Sequence, residues 1–285
     1  MDYSTLLPQI KSLHAQVPKS RVLKVLIKTL FASTFPREKN KKTLAYSYLT
    51  RLLWEYIAET LPPALLQIPE PKTDDAQPVL WNKRPVSQEL AAAILDFHAI
   101  TSTLQNYPIK TVLAIGANQW QLGYVFLQQM PHLKYIVSDA PAALQTAQEC
   151  FKRAFPEKKI FAYRSFENYE KIRTEFEESS LCFVEPAQLS LLPPRSIDLG
   201  ITIDVLDKLT RGETDAYFAQ LASLINGYFY FKEQKISLIK EADYRVPDDW
   251  EEVFWRTCPL YPLSFEALFE STSARSTQFL GFGQA

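Results

Sequence analysis

The sequence predicts an α/β protein: a doubly wound, mostly parallel sheet with helices on both faces, preceded by an N-terminal helical segment. Three observations carry this. Short apolar, β-rich runs alternate with helix-compatible stretches from TVLAIGA (111–117) to YFYFKE (228–233), as a series of parallel βαβ units requires. The first run stops on a glycine, and the second, YIVSDA (135–140), stops beside an acidic residue. Hydrophobic residues make up 47% of the 285, against 22% charged, which is enough to bury a large core.

From residue 3 to about 62 the pattern is helical. Leu23, Val25, Leu26, Leu30 and Phe31, then Tyr48, Leu52, Leu53, Tyr56 and Ile57, recur at three- and four-residue spacings, as in a small bundle or cap. The pattern ends at LPPALLQIPEPKTDDAQP, whose five prolines and the pair Asp74 and Asp75 break a helix. Residues 1–78 therefore read as helical cap and linker, and 79–285 as the sheet domain. Between Lys11 and Lys42 stand nine Lys or Arg and one acidic residue, Glu38. That excess is a solvated helix face, or a peripheral contact with an anionic membrane or partner.

A helix follows, N-capped by Ser87 and lined by Leu90, Ala93, Ile94 and Phe97. The strands at 111–117 and 135–140, with a helix between them, form a right-handed parallel unit. Next come a helix at Pro141–Phe155, a strand at KIFAYRSF (159–166), a charged helical stretch, and strands at LCFVEP (181–186) and SIDLGITI (196–203). The capping box Thr210 to Glu213 opens another helix, which buries Tyr217, Phe218, Leu221, Leu224 and Ile225. Asn226-Gly227 then turns the chain into YFYFKE.

Thirty-one basic against 32 acidic residues leave a net charge of -1, which argues against a polyanion binder; nucleic acid is not expected as a partner. Cys150, Cys182 and Cys258 form neither a close pair nor a metal-type spacing, and no His/Asp/Glu cluster has ligand spacing. The N-terminal residues lack a signal-peptide build, and no apolar run is long enough to span a membrane. A cytoplasmic protein with reduced thiols, and no metal, is the expectation.

The segment VLAIGANQWQLGYVFLQQ (112–129) carries the cofactor argument. In an open parallel sheet the ligand sits at the carboxyl ends of the strands, where the first turn must bring backbone N–H groups close to it. Gly116, Ala117, Asn118 and Gly123 are the candidates. A dinucleotide site wants a second glycine where Asn118 stands, so NAD or FAD is disfavoured, whereas S-adenosylmethionine has no pyrophosphate to accommodate. Asp139 ends the second strand roughly 20 residues further on, where a carboxylate can take both ribose hydroxyls; Ala140 adjoins it. Asp139 can also, or instead, cap the helix that opens at Pro141.

FVEPAQLSLLPPRSIDLGITIDVLDKL (183–209) has the layout of a methyltransferase segment. It sets Glu185, Pro186 and Ala187 beside an adenine, Asp198 in a structural role and Asp204 at the mouth of the site. A second register takes KIFAYRSF as the third strand and puts Ser165 and Phe166 there instead. Methyl transfer to a hydroxyl needs a base near the cofactor. Asp204 is the first candidate, its alternative a helix N-cap or surface role. His98 is the second, its alternative a histidine satisfied by its own helix neighbours.

RPVSQELAAAILDFHAI, VLAIGANQWQLG, YIVSDAPAALQTAQECFKRAFP, FVEPAQLSLLPPRSIDLGIT, INGYFYFKEQ and YRVPDDWEEVFWRTCPLYPLSFEALFE together resemble the sugar O-methyltransferases of bacterial polysaccharide and glycoconjugate clusters. The resemblance covers residues 80 to 270 and implies a Rossmann-like, S-adenosylmethionine-dependent enzyme. Its acceptor would be a sugar, a nucleotide-sugar or a lipid-linked glycan. Arg84, Arg245 and Arg256 would then grip a phosphate or carboxylate, or else form ordinary salt bridges. Trp250, Phe254, Trp255 and Tyr261 read as a stacking platform for a sugar ring or as a packed helix face. The sequence departs from the family at Ala114, where an acidic residue is usual, and in its glycine-poor turn. A catalytically inactive binding or scaffold relative is the alternative.

Overall fold

The structure, a computed structural model, describes residues 3–22, 25, 41–72, 78–104, 108–116, 120–235, 239 and 241–272. The chain divides into two compact units. One comprises residues 1–101 with 259–262, the other 102–258 with 263–285.

The first unit contains α1 (Tyr3–Gln16), α2 (Lys41–Thr60), the strands β1 (Val79–Trp81) and β2 (Arg84–Val86), and α3 (Gln88–Thr101). Leu13, Leu49, Leu52, Leu53, Trp54 and Ile57 are buried, so the apolar spacing in α2 does form a core face. Leu23, Leu26, Leu30, Phe31, Asp74 and Asp75 lie outside the described residues. β1 and β2 pair antiparallel through Asn82 and Lys83, whose φ angles of 47° and 67° suit a two-residue hairpin turn. Ser87 caps α3 as expected, accepting from the Leu90 amide at 3.0 Å, and its carbonyl takes the Trp54 indole N–H at 2.9 Å. That bond ties α3 to α2, and α3 accordingly groups with the helices, not with the sheet. The segment 259–262 joins the unit through the Pro259 carbonyl, which accepts from Ser12 at 2.9 Å and Gln16 at 3.1 Å. Of the basic stretch, Arg21 pairs with Glu59 at 2.9 Å and Glu55 at 3.6 Å.

The second unit is built on one eight-stranded sheet. Its strands are β3 (Thr111–Ile115), β4 (Lys134–Ser138), β5 (Ile160–Phe161), β6 (Leu181–Val184), β7 (Ile197–Ile203), β8 (Ile225–Gln234), β9 (Trp250–Thr257) and β10 (Ser264–Ser271), in the order β5-β6-β4-β3-β7-β8-β10-β9. The six strands from β5 to β8 are parallel; β10 and β9 are antiparallel. Between the strands run α4 (Trp120–Gln129), α5 (Pro141–Ala154), α6 (Arg173–Glu178) and α7 (Arg211–Leu224). The doubly wound, mostly parallel expectation holds. The chain winds outward from β3 through β4 to the β5 edge, returns, and crosses to β7 on the other side. The strand order therefore reverses between β3 and β7, which opens a crevice at their carboxyl ends.

Three local expectations change. The strand at KIFAYRSF is reduced to Ile160–Phe161, because Tyr163–Phe166 turn away to bond elsewhere. β8 starts directly out of α7 at Ile225, so Asn226-Gly227 lies inside a strand and makes no separate turn. Trp250, Phe254 and Trp255 belong to β9, not to a helix face. Trp255 stacks on Phe265 at 5.7 Å and Trp250 lies 5.0 Å from Phe229, so both indoles close the core over β8. The capping box of α7 is present, with the Thr210 amide donating to Glu213 at 2.8 Å. Asp198 is structural, as expected: its Oδ2 accepts from the amides of Lys110 and Thr111, each at 2.8 Å, and pins the start of β3.

Candidate functional site

Four of the residues singled out in the sequence stand immediately after neighbouring parallel strands. Glu185 follows β6, Asp139 follows β4, Gly116 follows β3 and Asp204 follows β7. With strands about 5 Å apart, these four positions span roughly 15 Å along one edge of the sheet. Ala117 and Asn118 lie outside the described residues.

Gly116 has φ 102°, a backbone that L side chains rarely adopt, and its amide donates to the Ser138 carbonyl at 2.9 Å. A Cβ there would meet Val205 Cγ2 at 3.0 Å. The glycine thus lets the end of β3 pass close under the turn that follows β7. Gly123 has a different task. A Cβ on it would lie 2.6 Å from the Tyr135 ring and 2.7 Å from that of Phe151, so this glycine lets α4 pack tightly on β4 and α5. Trp120 opens α4 and lies edge-on to Tyr124 and Phe151.

Asp139 is half-buried. The N-cap of α5 is Ala140, with no side chain capping it, and Pro141 at the next position has no N–H to offer. The Asp139 carboxylate takes the Ala140 amide at 2.6 Å, a bond local to the strand end. The helix-capping role is therefore not the one Asp139 fills. Tyr217, on α7, lies within the field of this carboxylate; burial first, and the Asp139 charge second, push its hydroxyl up from the ordinary tyrosine value.

β6, not β5, lies next to β4, so the segment ending in Glu185 holds the third-strand position and β5 is the sheet edge. The loop after β5 is nonetheless bound to it. Tyr163 donates through its hydroxyl to Glu185, and buried Gln188 gives its amide N–H groups to the carbonyls of Arg164 at 3.1 Å and Phe166 at 3.4 Å. Gln188 also accepts from the Glu185 amide at 2.8 Å. The two registers left open by the sequence thus meet at one strand end. Pro186 and Ala187 are exposed on the short helical turn that follows.

Asp204 carries φ 55°, its amide donates to the Lys232 carbonyl at 3.0 Å, and its own carbonyl takes Lys208 Nζ at 2.6 Å. Burial pushes its carboxyl above the usual carboxylate range. The neighbouring Asp207 adds to that, while Lys232, Lys208 and a hydrogen bond from Gln234 oppose it. Two buried hydroxyls, Ser138 Oγ and Thr202 Oγ1, flank Ile115 in the last row of the ladder and have no hydrogen-bond partner among the described residues. At these neighbouring strand ends, then, stand a left-handed glycine, a carboxylate after each flanking strand and two buried, unsatisfied hydroxyls. Such a set suits a neutral-to-cationic, hydroxyl-rich ligand better than a polyphosphate.

His98 stands on α3 in the first unit; burial holds its imidazole below the usual histidine range. Arg256 pairs with Glu266 at 2.7 Å and lies over Phe254, Arg84 donates to the Ile68 carbonyl and lies over Trp54, and Arg245 is exposed. The sequence reading passed over Tyr163, Gln188, Val205 and Glu233. Glu233 alone left a signal, a carboxylate at an inward position of the alternation Phe229, Phe231, Glu233. Among the described residues no group of His, Cys, Asp and Glu has the makings of a metal site, and no helix is long and apolar enough to cross a membrane.

No family model matches the sequence, and no curated protein does. Among solved structures, the magnesium protoporphyrin IX methyltransferase of Synechocystis PCC 6803 with bound SAH aligns over 81% of this chain and 100% of its own, at 15% identity and a TM-score of 0.46. An rRNA methylase from Escherichia coli aligns over 92% of this chain and 99% of its own, at 16% identity and a TM-score of 0.40. The pyocyanin biosynthetic protein PhzM aligns over 64% of this chain at 13% identity and a TM-score of 0.40, and the match spans 56% of its length.

Proposed function

We propose that this chain is an S-adenosylmethionine-dependent O-methyltransferase that holds its cofactor along the carboxyl ends of β6, β4, β3 and β7. The observation that carries the reading is the pairing of left-handed Gly116 with the Asp139 carboxylate at adjacent strand ends, beside the point where the strand order reverses. Gly116 admits the ligand close to the backbone, Asp139 accepts from the two ribose hydroxyls, and Glu185, steadied by Tyr163, accepts from the adenine amino group. When bound, the sulfonium supplies an electrophilic methyl group. Asp204 lies at the mouth of the crevice and takes the proton from the acceptor hydroxyl; its burial raises its basicity toward that of a working general base. The acceptor class, a sugar, nucleotide-sugar or lipid-linked glycan, rests on the sequence resemblance.

One observation favours a second reading. Ala114, buried between Val137 and Ile201, stands where an acidic residue would hold the cofactor's amino group. A chain lacking that carboxylate fits an inactive relative that keeps the fold as a binding module. Calorimetric titration with S-adenosylmethionine and S-adenosylhomocysteine separates the two, because it needs no acceptor. Micromolar binding supports the enzyme, and absence of binding at millimolar cofactor supports the inactive module.

A further inference from the structure

Glu233 is fully buried on β8, on the face shared with Phe229 and Phe231. A carboxyl in such a place is costly unless its oxygens are occupied. Here they are: Oε1 accepts from the amides of Val205 at 3.3 Å and Leu206 at 3.0 Å, and Oε2 accepts from the Asp207 amide at 3.2 Å. Three consecutive backbone donors therefore converge on one side chain from the neighbouring strand. The turn they belong to starts at Asp204, whose φ of 55° must be held by its surroundings, and it places Val205 over Gly116.

We infer that Glu233 is a positioning residue of the crevice: by gathering the amides of Val205, Leu206 and Asp207 it fixes the turn that carries Asp204 and bounds the space above Gly116. The consequence for the cofactor rests on the function proposed above; the clamp itself does not.

The clamp has a sign with respect to pH. Burial, reinforced by the Asp207 carboxyl and opposed by the three amides, pushes the Glu233 carboxyl up to about 8. Among the described residues Asp207 is the charged group acting on it from the turn, and on β10 the residue opposite is Phe265. The closed turn holds a proton that a hydrated carboxyl would release near pH 4.5, so opening becomes easier as pH rises from there to about 8 and levels off above it. Glutamine mimics the protonated form: its carbonyl still serves Val205 and Leu206, and it never ionises.

The test compares wild type, Glu233→Gln and Glu233→Ala by hydrogen exchange over residues 204–208 and by S-adenosylhomocysteine affinity, each from pH 7 to 9. At pH 7 Glu233→Ala should exchange roughly tenfold faster or more than wild type in that segment. At pH 9 wild type should exchange faster and bind more weakly than Glu233→Gln at the same pH. Equal exchange of wild type and Glu233→Gln at pH 9 overturns the inference, and so does unaltered protection in a folded Glu233→Ala. If Glu233→Ala does not fold, the wild type against Glu233→Gln comparison decides alone. Failure of wild type to bind S-adenosylhomocysteine sinks the proposed function, and the exchange data still judge the clamp. Binding that is equal in all three proteins at every pH overturns the positioning role.

Discussion

The hydroxyl of Tyr163, in the loop after β5, donates to the carboxylate of Glu185, the residue after β6. The bond joins two adjacent strand ends and turns the carboxylate toward one position. It also pushes the Tyr163 hydroxyl up from its ordinary value, the bond itself being the leading cause. Tyr163→Phe removes the donor and leaves the ring, so the fold is expected to survive. Without the bond Glu185 samples other rotamers, and S-adenosylhomocysteine affinity should fall about three- to tenfold, the worth of one charge-assisted hydrogen bond at a partly exposed site. Unchanged affinity in calorimetry would remove Glu185 from the adenine subsite.

Asp139 supports a sharper expectation, because its carboxylate does not cap α5. Asp139→Ala should weaken S-adenosylhomocysteine binding by about 1–3 kcal/mol, the range for lost hydrogen bonds to a charged acceptor. The melting temperature without ligand is measured alongside, so that a loss of affinity is not mistaken for a loss of fold. A variant that melts normally and binds as wild type does would overturn the central contact of the site.

The parts of this architecture that are set locally could be read in advance. The glycine after TVLAI, the acidic residue after YIVSD, the Ser87 cap and the Thr210–Glu213 box all depend on a few neighbouring residues. What depends on distant pairing could not be read so. Trp250 and Trp255 sit five apart, a spacing at which a regular strand would place them on opposite faces. β9 carries an irregularity around Val253, where its register against β10 shifts between Leu268 and Phe269, and this brings both indoles to the core face. Gly123 looked like part of the ligand turn because a glycine gives no sign of whether a ligand or a ring fills the missing side chain's place. Glu233 was overlooked because its three partners arrive from another strand.

Gly116 offers a test of the close approach between β3 and the turn after β7 that can be read on stability as well as on binding. Gly116→Ala forces a side chain onto a φ of 102° and sets its Cβ 3.0 Å from Val205 Cγ2. We expect a loss of about 1–2 kcal/mol in urea denaturation from backbone strain, together with loss of cofactor binding. Adding Val205→Ala should relieve the steric share and leave the strain. A Gly116→Ala protein of wild-type stability and affinity would show that this close approach is not needed.

The last expectation concerns the direction in which activity moves with pH. The Asp204 carboxyl is raised, first by burial and then by Asp207. For such a group the protonated form persists to higher pH in the folded protein than in the unfolded chain. A base must be ionised to accept a proton, so turnover should climb as pH rises through that raised value and level off above it. Asp204→Asn keeps the shape, tolerates the left-handed backbone and removes the titration. It should leave S-adenosylhomocysteine affinity within about threefold of wild type while lowering kcat by about 100-fold or more, the scale of general-base catalysis. Once an acceptor is in hand, measuring S-adenosylhomocysteine formation against pH for both proteins decides the matter. A wild-type profile with no rising limb, or an Asp204→Asn variant that keeps both the limb and the rate, would move the base elsewhere in the crevice.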